Sequence, residues 1–139
     1  MVLEIIPVKI EEEIEPNTNI IDLVLKSTVI NDYDILIFSQ KIISKNEGRI
    51  VDLSSVNPSL LASGIASSYG KDPRLVELIL SESKRIVRMQ ESVIIVESNH
   101  GFVCANAGID ESNVRDGYVT MLPEDPDQSA DKLKKQIEQ

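Results

Sequence analysis

Two dipeptides, Asn57-Pro58 and Asp72-Pro73, constrain the fold of this chain more than any other feature. Each joins a side chain that can accept a backbone N–H to a proline, a residue that needs no donor in the first turn of a helix. Each therefore predicts a helix start. Gly70 lies between them and is the expected left-handed stop of the first helix. That helix carries Leu60, Leu61, Ile65 and Ala66, and the second carries Leu75, Val76, Ile79 and Leu80 along one side.

Around this helical pair the pattern is mostly that of short strands. Residues 2–8 are apolar at most positions and rich in β-branched side chains, which predicts a strand closed by Pro7. The acids Glu11, Glu12 and Glu13 break it and read most simply as a solvated loop. Ile20, Ile21, Val24 and Leu25 recur at helical spacing, with Asn17, Thr18 or Asn19 available as the cap. Residues 34–38 form a continuous apolar run of the kind found in a strand covered on both faces. Residues 86–89 and 93–96 are strand candidates, and Asn99-His100-Gly101 is a turn leading into residues 102–105 as an antiparallel neighbour. Residues 119–122 suggest one more strand. A turn-rich stretch from Pro123 to Asp127 then precedes a final helix starting near Ser129, whose only apolar stripe is Leu133 and Ile137. Strands and helices mix without strict βαβ alternation, so the expected class is α+β, mainly antiparallel, and neither a Rossmann nor a P-loop fold. The length of 139 residues fits one domain.

Charge excludes some functions. With 14 Lys and Arg against 23 Asp and Glu, the net charge of -9 repels phosphate backbones and anionic bilayers, so neither nucleic acid nor membrane is an expected partner. No apolar run approaches the roughly 18 residues of a membrane span, and the N-terminus lacks the pattern of a signal peptide, so a cytoplasmic location is expected. Cys104 is the only cysteine and reads as a buried structural thiol. His100, the only histidine, reads as a solvated turn residue rather than a ligand or base. The chain contains no GxxxxGK[ST], GxGxxG, CxxC or GxSxG template.

Two stretches could carry chemistry. Ser39 to Arg49 follows the apolar run at 34–38, and strand ends of this kind are favoured ligand positions. Lys41 and Lys45 are four apart, so on a helix they share a face and repel unless an anion lies between them; a polyphosphate would serve. The alternative is a solvated helix face with Ile42 and Ile43 packed inward. In the second stretch, Asn106 to Val114, small residues permit a tight turn, while Asp110 and Asn113 offer the hard oxygen ligands that Mg2+ or Mn2+ prefers. One carboxylate does not hold a divalent ion tightly, so nucleotide phosphate oxygens would have to complete such a site. Asp and Asn are equally what turns and caps use.

Taken together, QKIISKNEGR from Gln40, GKDPRLVELILSES from Gly70, NAGIDESNV from Asn106 and LPEDPDQSADKL from Leu122 resemble, in order, the N-terminal part of the F420-0:gamma-glutamyl ligase family. The resemblance covers essentially the whole chain, residues 1–139, as the N-terminal domain of such a ligase. It implies an enzyme that uses GTP to activate a carboxylate of coenzyme F420-0 as an acyl phosphate, which the amine of L-glutamate then converts to an amide. The implied cofactor is a divalent metal, with a monovalent cation as a further candidate. In that picture Asp110 is a metal ligand, and Gln40, Lys41, Lys45 and Asn113 contact the nucleotide. Glu11, Glu12, Glu13 and Ile14 also fall in a nucleotide-contact region, although three consecutive acids depart from its more apolar pattern. The resemblance further implies that more metal ligands and a glycine-rich segment lie in a part of the family that this chain does not contain, so a homodimer or a partner chain supplying that part is expected. The rivals are a related ligase with another acceptor and a non-catalytic nucleotide-binding or assembly half.

Overall fold

Helix starts follow from which side chain reaches the first free N–H groups, and Asp72 is the clearest case. In the computed structural model, which describes residues 3–138 except position 113, Asp72 accepts the Arg74 N–H and opens α4 (Pro73–Ser81) with Pro73 in its first turn. The preceding helix α3 (Leu60–Tyr69) ends at Gly70, whose φ of 64° is the left-handed value glycine tolerates best. Its start differs from expectation. The cap is Ser59 rather than Asn57, because the Ser59 hydroxyl accepts the Ala62 N–H while the Ser59 N–H donates to the Glu77 carboxylate at 2.8 Å. A contact from α4 thus decides where α3 begins.

The remaining elements are α1 (Ile20–Ser27), α2 (Gln40–Asn46), β1 (Ile50–Asp52), β2 (Ser83–Gln90), β3 (Val93–Ser98), β4 (Val103–Ala105), β5 (Tyr118–Thr120) and α5 (Pro126–Ile137). Asn19 is the residue that caps α1. β2, β3 and β4 form an antiparallel meander in which Ile86 faces Val96 and Val96 faces Cys104. β1 pairs antiparallel with β5, Val51 opposite Val119. The class is α+β with two antiparallel sheets. α5 starts three residues earlier than expected, because Asp125-Pro126 repeats the cap-and-proline arrangement of Asp72-Pro73 and Asp125 accepts the Gln128 N–H. The short β1 was not expected, since three residues carry no usable periodicity and its partner is remote in sequence.

The core lies between the α3–α4 pair and the sheets, where Val76, Ile79, Ile94, Val96 and Val119 are inaccessible to solvent. At about 1.5–3 kcal/mol for each such side chain, these contacts dominate the stability of the central layer.

Two expected strands are absent. Residues 3–8 join no sheet, and Leu3 and Ile5 are 86% and 85% exposed. Residues 34–38 likewise have no ladder, and Ile35 and Ile37, expected to be buried, are 85% and 90% exposed. A strand needs a neighbour to take its N–H and C=O groups, and no described segment runs alongside either one. The final helix behaves as its pattern suggests, with Leu133 and Ile137 half-buried. Among the described residues no helix is long and apolar enough to cross a membrane.

Candidate functional site

Helix α2 is held in place by its own polar residues. Ser44 is fully buried and takes a 2.6 Å hydrogen bond from the Gln40 amide, which also donates to the Met121 carbonyl just beyond β5. At the other end the Asn46 amide donates to the Thr18 carbonyl at 2.7 Å, and the Asn17 N–H donates back to the Asn46 carbonyl. Arg49 extends the clamp by pairing with Glu82 and donating to the Leu122 carbonyl. Gln40, expected at a nucleotide, is thus occupied in fixing the helix that carries Lys41 and Lys45.

The facing loop follows β4. Asn106, Ala107 and Gly108 have φ values of 52°, 55° and 73°, three successive left-handed residues closed by the Ile109 N–H donating to the Asn106 carbonyl. A left-handed conformation costs a residue with a side chain roughly 1–2 kcal/mol, so two such residues in a row mark a turn that the surrounding packing holds. Buried Ala107 and Ile109 supply that packing. The turn delivers Asp110 to the edge of β5, where its N–H and C=O both bond Thr120 at 2.9 Å.

With its backbone locked, Asp110 turns its carboxylate toward α2. Oδ2 lies 2.7 Å from Lys41 Nζ, Oδ1 accepts the Ser112 N–H at 2.7 Å, and the Ser112 hydroxyl adds a 3.0 Å bond. Lys41 also donates to the Ser112 hydroxyl and carbonyl. The Lys41 ammonium, with the Ser112 donors, holds Asp110 at a pKa of about 2, well below its ordinary 3.8. The carboxylate is therefore fully ionised at neutral pH. Three of its roughly four acceptor positions are already used, which leaves one for a cation unless Lys41 moves aside.

One turn along α2, Lys45 lines a cleft of about 430 Å3 together with Ile14, Glu15, Arg115 and Tyr118. Glu13 lies 3.8 Å from Lys45, and the Arg115 guanidinium sits 5.7 Å from the centre of the Tyr118 ring. Lys41, Lys45 and Asp110 therefore belong to one corner of the molecule. The loop 11–14 divides: Ile14 is buried, Glu13 meets Lys45, Glu12 is exposed, and Glu11 pairs with Lys9. Asn113 lies outside the described residues. Arg115, which sequence reasoning passed over, adds a second cation to the cleft, and its nearness to the NAGIDESNV stretch was the only available signal.

Asp110 is an ionised carboxylate of the kind hard cations prefer, but among the described residues no three His, Cys, Asp or Glu side chains cluster, so one carboxylate is the donor that this corner offers a cation. His100 is less solvated than expected: it is half-buried, stacks on Phe102, and its Nε2 sits 2.8 Å from the Pro123 carbonyl and 3.0 Å from that of Glu124. These contacts tie the turn to the start of α5 and leave the histidine remote from Asp110 in bonding. Cys104 is a free, half-buried thiol on β4.

Residues 8–139 match the sequence profile described as F420-0:Gamma-glutamyl ligase. Curated relatives carry the name coenzyme F420:L-glutamate ligase, three of them at identities from 37% to 52%. The one from Methanopyrus kandleri is 43% identical over 135 residues, which is 97% of this chain and 54% of that protein. The one from Methanothermobacter thermautotrophicus is 52% identical over 108 residues, 78% of this chain and 43% of its own length. The one from Archaeoglobus fulgidus is 37% identical over 137 residues, 99% of this chain and 55% of its own. The chain spans about half the length of the curated relatives it matches. A profile match over nearly every residue, with the Lys41 and Asp110 stretches inside it, places the chain in the F420-0:Gamma-glutamyl ligase family.

Proposed function

We propose that this chain is the N-terminal, nucleotide-holding part of a ligase that joins L-glutamate to coenzyme F420-0 through an amide bond, driven by GTP. A carboxylate oxygen of F420-0 attacks the γ-phosphorus of GTP, the bond to the β-phosphate oxygen breaks, and GDP leaves as the acyl phosphate forms. The glutamate amine then attacks the acyl carbon, phosphate departs, and the amine loses a proton to leave the amide. A divalent cation, Mg2+ or Mn2+, would supply neutralisation of the phosphoryl charge, with Asp110 its ligand from this chain.

One observation supports this reading above the others: Lys45 and Arg115 line one cleft, on the same corner as the Lys41–Asp110 pair. In a protein of net charge -9, a triphosphate needs such a local concentration of cations. Lys45 and Arg115 would bind phosphate oxygens, Lys41 would hold Asp110 in position, and Ile14 would form the apolar floor. Calorimetry with GTP, ATP and GDP, each with and without Mn2+, tests the assignment. Lys45→Ala should weaken GTP binding by about tenfold in both conditions, the size expected for one charge-assisted hydrogen bond. Asp110→Asn should remove only the increment that Mn2+ adds. Identical titrations for parent and variants would overturn both roles.

A non-catalytic nucleotide-binding half is a second reading, in which the cleft of Lys45 and Arg115 holds phosphate without turnover. Glutamate incorporation by this chain mixed with the remainder of a relative separates the two. Product formation supports the ligase, and nucleotide binding without product supports the alternative.

A further inference from the structure

Ser112 makes more bonds than its turn requires. A carboxylate that accepts the N–H two residues further on is an ordinary turn device, and the 2.7 Å bond from the Ser112 N–H to Asp110 Oδ1 already provides it. The carbonyl and hydroxyl oxygens of Ser112 both reach beyond that turn to the Lys41 ammonium on α2, at 3.0 and 2.6 Å. A hydroxyl has one proton, and with Lys41 donating to the oxygen that proton goes to Asp110 Oδ2, 3.0 Å away. Lys41 Nζ therefore meets three oxygens, Asp110 Oδ2 and two from Ser112, which engages all three of its donors. Its side chain is only 19% exposed. A single ion pair at a surface holds a lysine loosely, so the clasp depends on Ser112 as much as on the carboxylate.

The clasp also divides the work of the carboxylate. Oδ2 takes both the ammonium and the hydroxyl, whereas Oδ1 takes one N–H, so the unused acceptor position lies on Oδ1. We propose that Ser112 is a positioning residue for the cation that Asp110 would hold: it keeps the Lys41 ammonium on Oδ2 and so leaves Oδ1 open. Without the hydroxyl the ammonium retains two acceptors and can swing across the carboxylate, where it competes with a divalent cation for both oxygens. The same clasp keeps Lys41 beside Asp110 and leaves phosphate to Lys45 and Arg115, which line the neighbouring cleft. The inference rests on the reading of Asp110 as a cation ligand, and goes beyond it in naming the residue that decides which oxygen is offered.

The test compares Ser112→Ala with Ser112→Thr, which removes the hydroxyl and restores it. Residue 112 is exposed, so both variants should melt with the parent. The first readout needs no metal: acetylation of Lys41 by an amine-reactive reagent, followed by mass spectrometry with exposed Lys26 as the internal standard. Ser112→Ala should speed labelling of Lys41 by about fivefold, and Ser112→Thr should return it to the parent rate. The second is Mn2+ titration in the presence of GTP, followed by the electron paramagnetic resonance of free Mn2+. Ser112→Ala should weaken Mn2+ binding by about tenfold, the size of one charge-assisted hydrogen bond, with Ser112→Thr within about twofold of the parent. Parent-like behaviour of Ser112→Ala in both measurements, or failure of Ser112→Thr to restore them, would overturn the proposal. Asp110→Asn separates the two levels of the argument. If it loses Mn2+ while Ser112→Ala does not, the Ser112 role alone falls; if it binds Mn2+ as the parent does, the cation reading falls and takes this proposal with it.

Discussion

The Asp110 carboxylate is held by three donors at once, and its chemistry depends on the balance between them. The Lys41 ammonium and the two Ser112 donors favour the ionised carboxylate, against a smaller opposing effect of burial. Because the folded pKa is lowered to about 2, the carboxylate stabilises the fold above its ordinary 3.8, and that contribution fades as pH falls toward 2. Lys41→Met should move the Asp110 titration back up toward 3.8 and raise the onset of acid unfolding, both measurable by carboxyl-resolved NMR and an acid titration. Gly108 is the second residue on which the corner depends. A Cβ built there would lie 2.8 Å from the Leu122 side chain, at a φ of 73° that alanine adopts with strain. Gly108→Ala should lose about 1–3 kcal/mol in urea unfolding, the sum of a left-handed alanine and a displaced leucine. The identity of these residues was legible in the sequence. Their bonding was not, because the 2.7 Å contact between Lys41 and Asp110 joins segments that meet only after α2 docks on β5.

At the scale of elements, local grammar predicted well wherever one side chain settled the matter. Asp72, Gly70 and the Asn99-His100-Gly101 turn all act as their chemistry suggests. The start of α3 did not follow, because Ser59 competes with Asn57 and is favoured by Glu77 across the helix pair. The consequence is a clear contrast: Ser59→Ala should cost about 1 kcal/mol in chemical denaturation, whereas Asn57→Ala should cost a few tenths. Equal effects of the two would return the cap to Asn57. Asp125-Pro126 shows the same grammar left unread, since a turn-rich setting hid a start signal identical in kind to Asp72-Pro73.

For the whole molecule, the inaccessible side chains gather where α3 and α4 meet the two sheets, while the large exposed ones lie partly in the segments before α1 and between α1 and α2 and partly elsewhere, as at Leu60 and Leu61 on the outer side of α3. Ile79→Ala, in the middle of the first group, should lose about 2–5 kcal/mol through burial and cavity terms. Ile37→Ala, in the second, should be within about 0.5 kcal/mol of the parent in the same urea titration. A large loss for Ile37→Ala would mean that its segment is already covered in the isolated chain.

Local chemistry in the sequence determined the helix start at Asp72 and Gly70's stop, the antiparallel turn between β3 and β4, the α+β class and the family, because each depends on neighbours within a few residues or on ordered blocks of identity. Only the tertiary structure decided that Lys41 would neutralise Asp110, that Gln40 would bond Ser44, and that residues 34–38 would keep a bare face. Those outcomes depend on what lies opposite a segment in space, and an apolar run in a sequence states a need for cover without stating what supplies it.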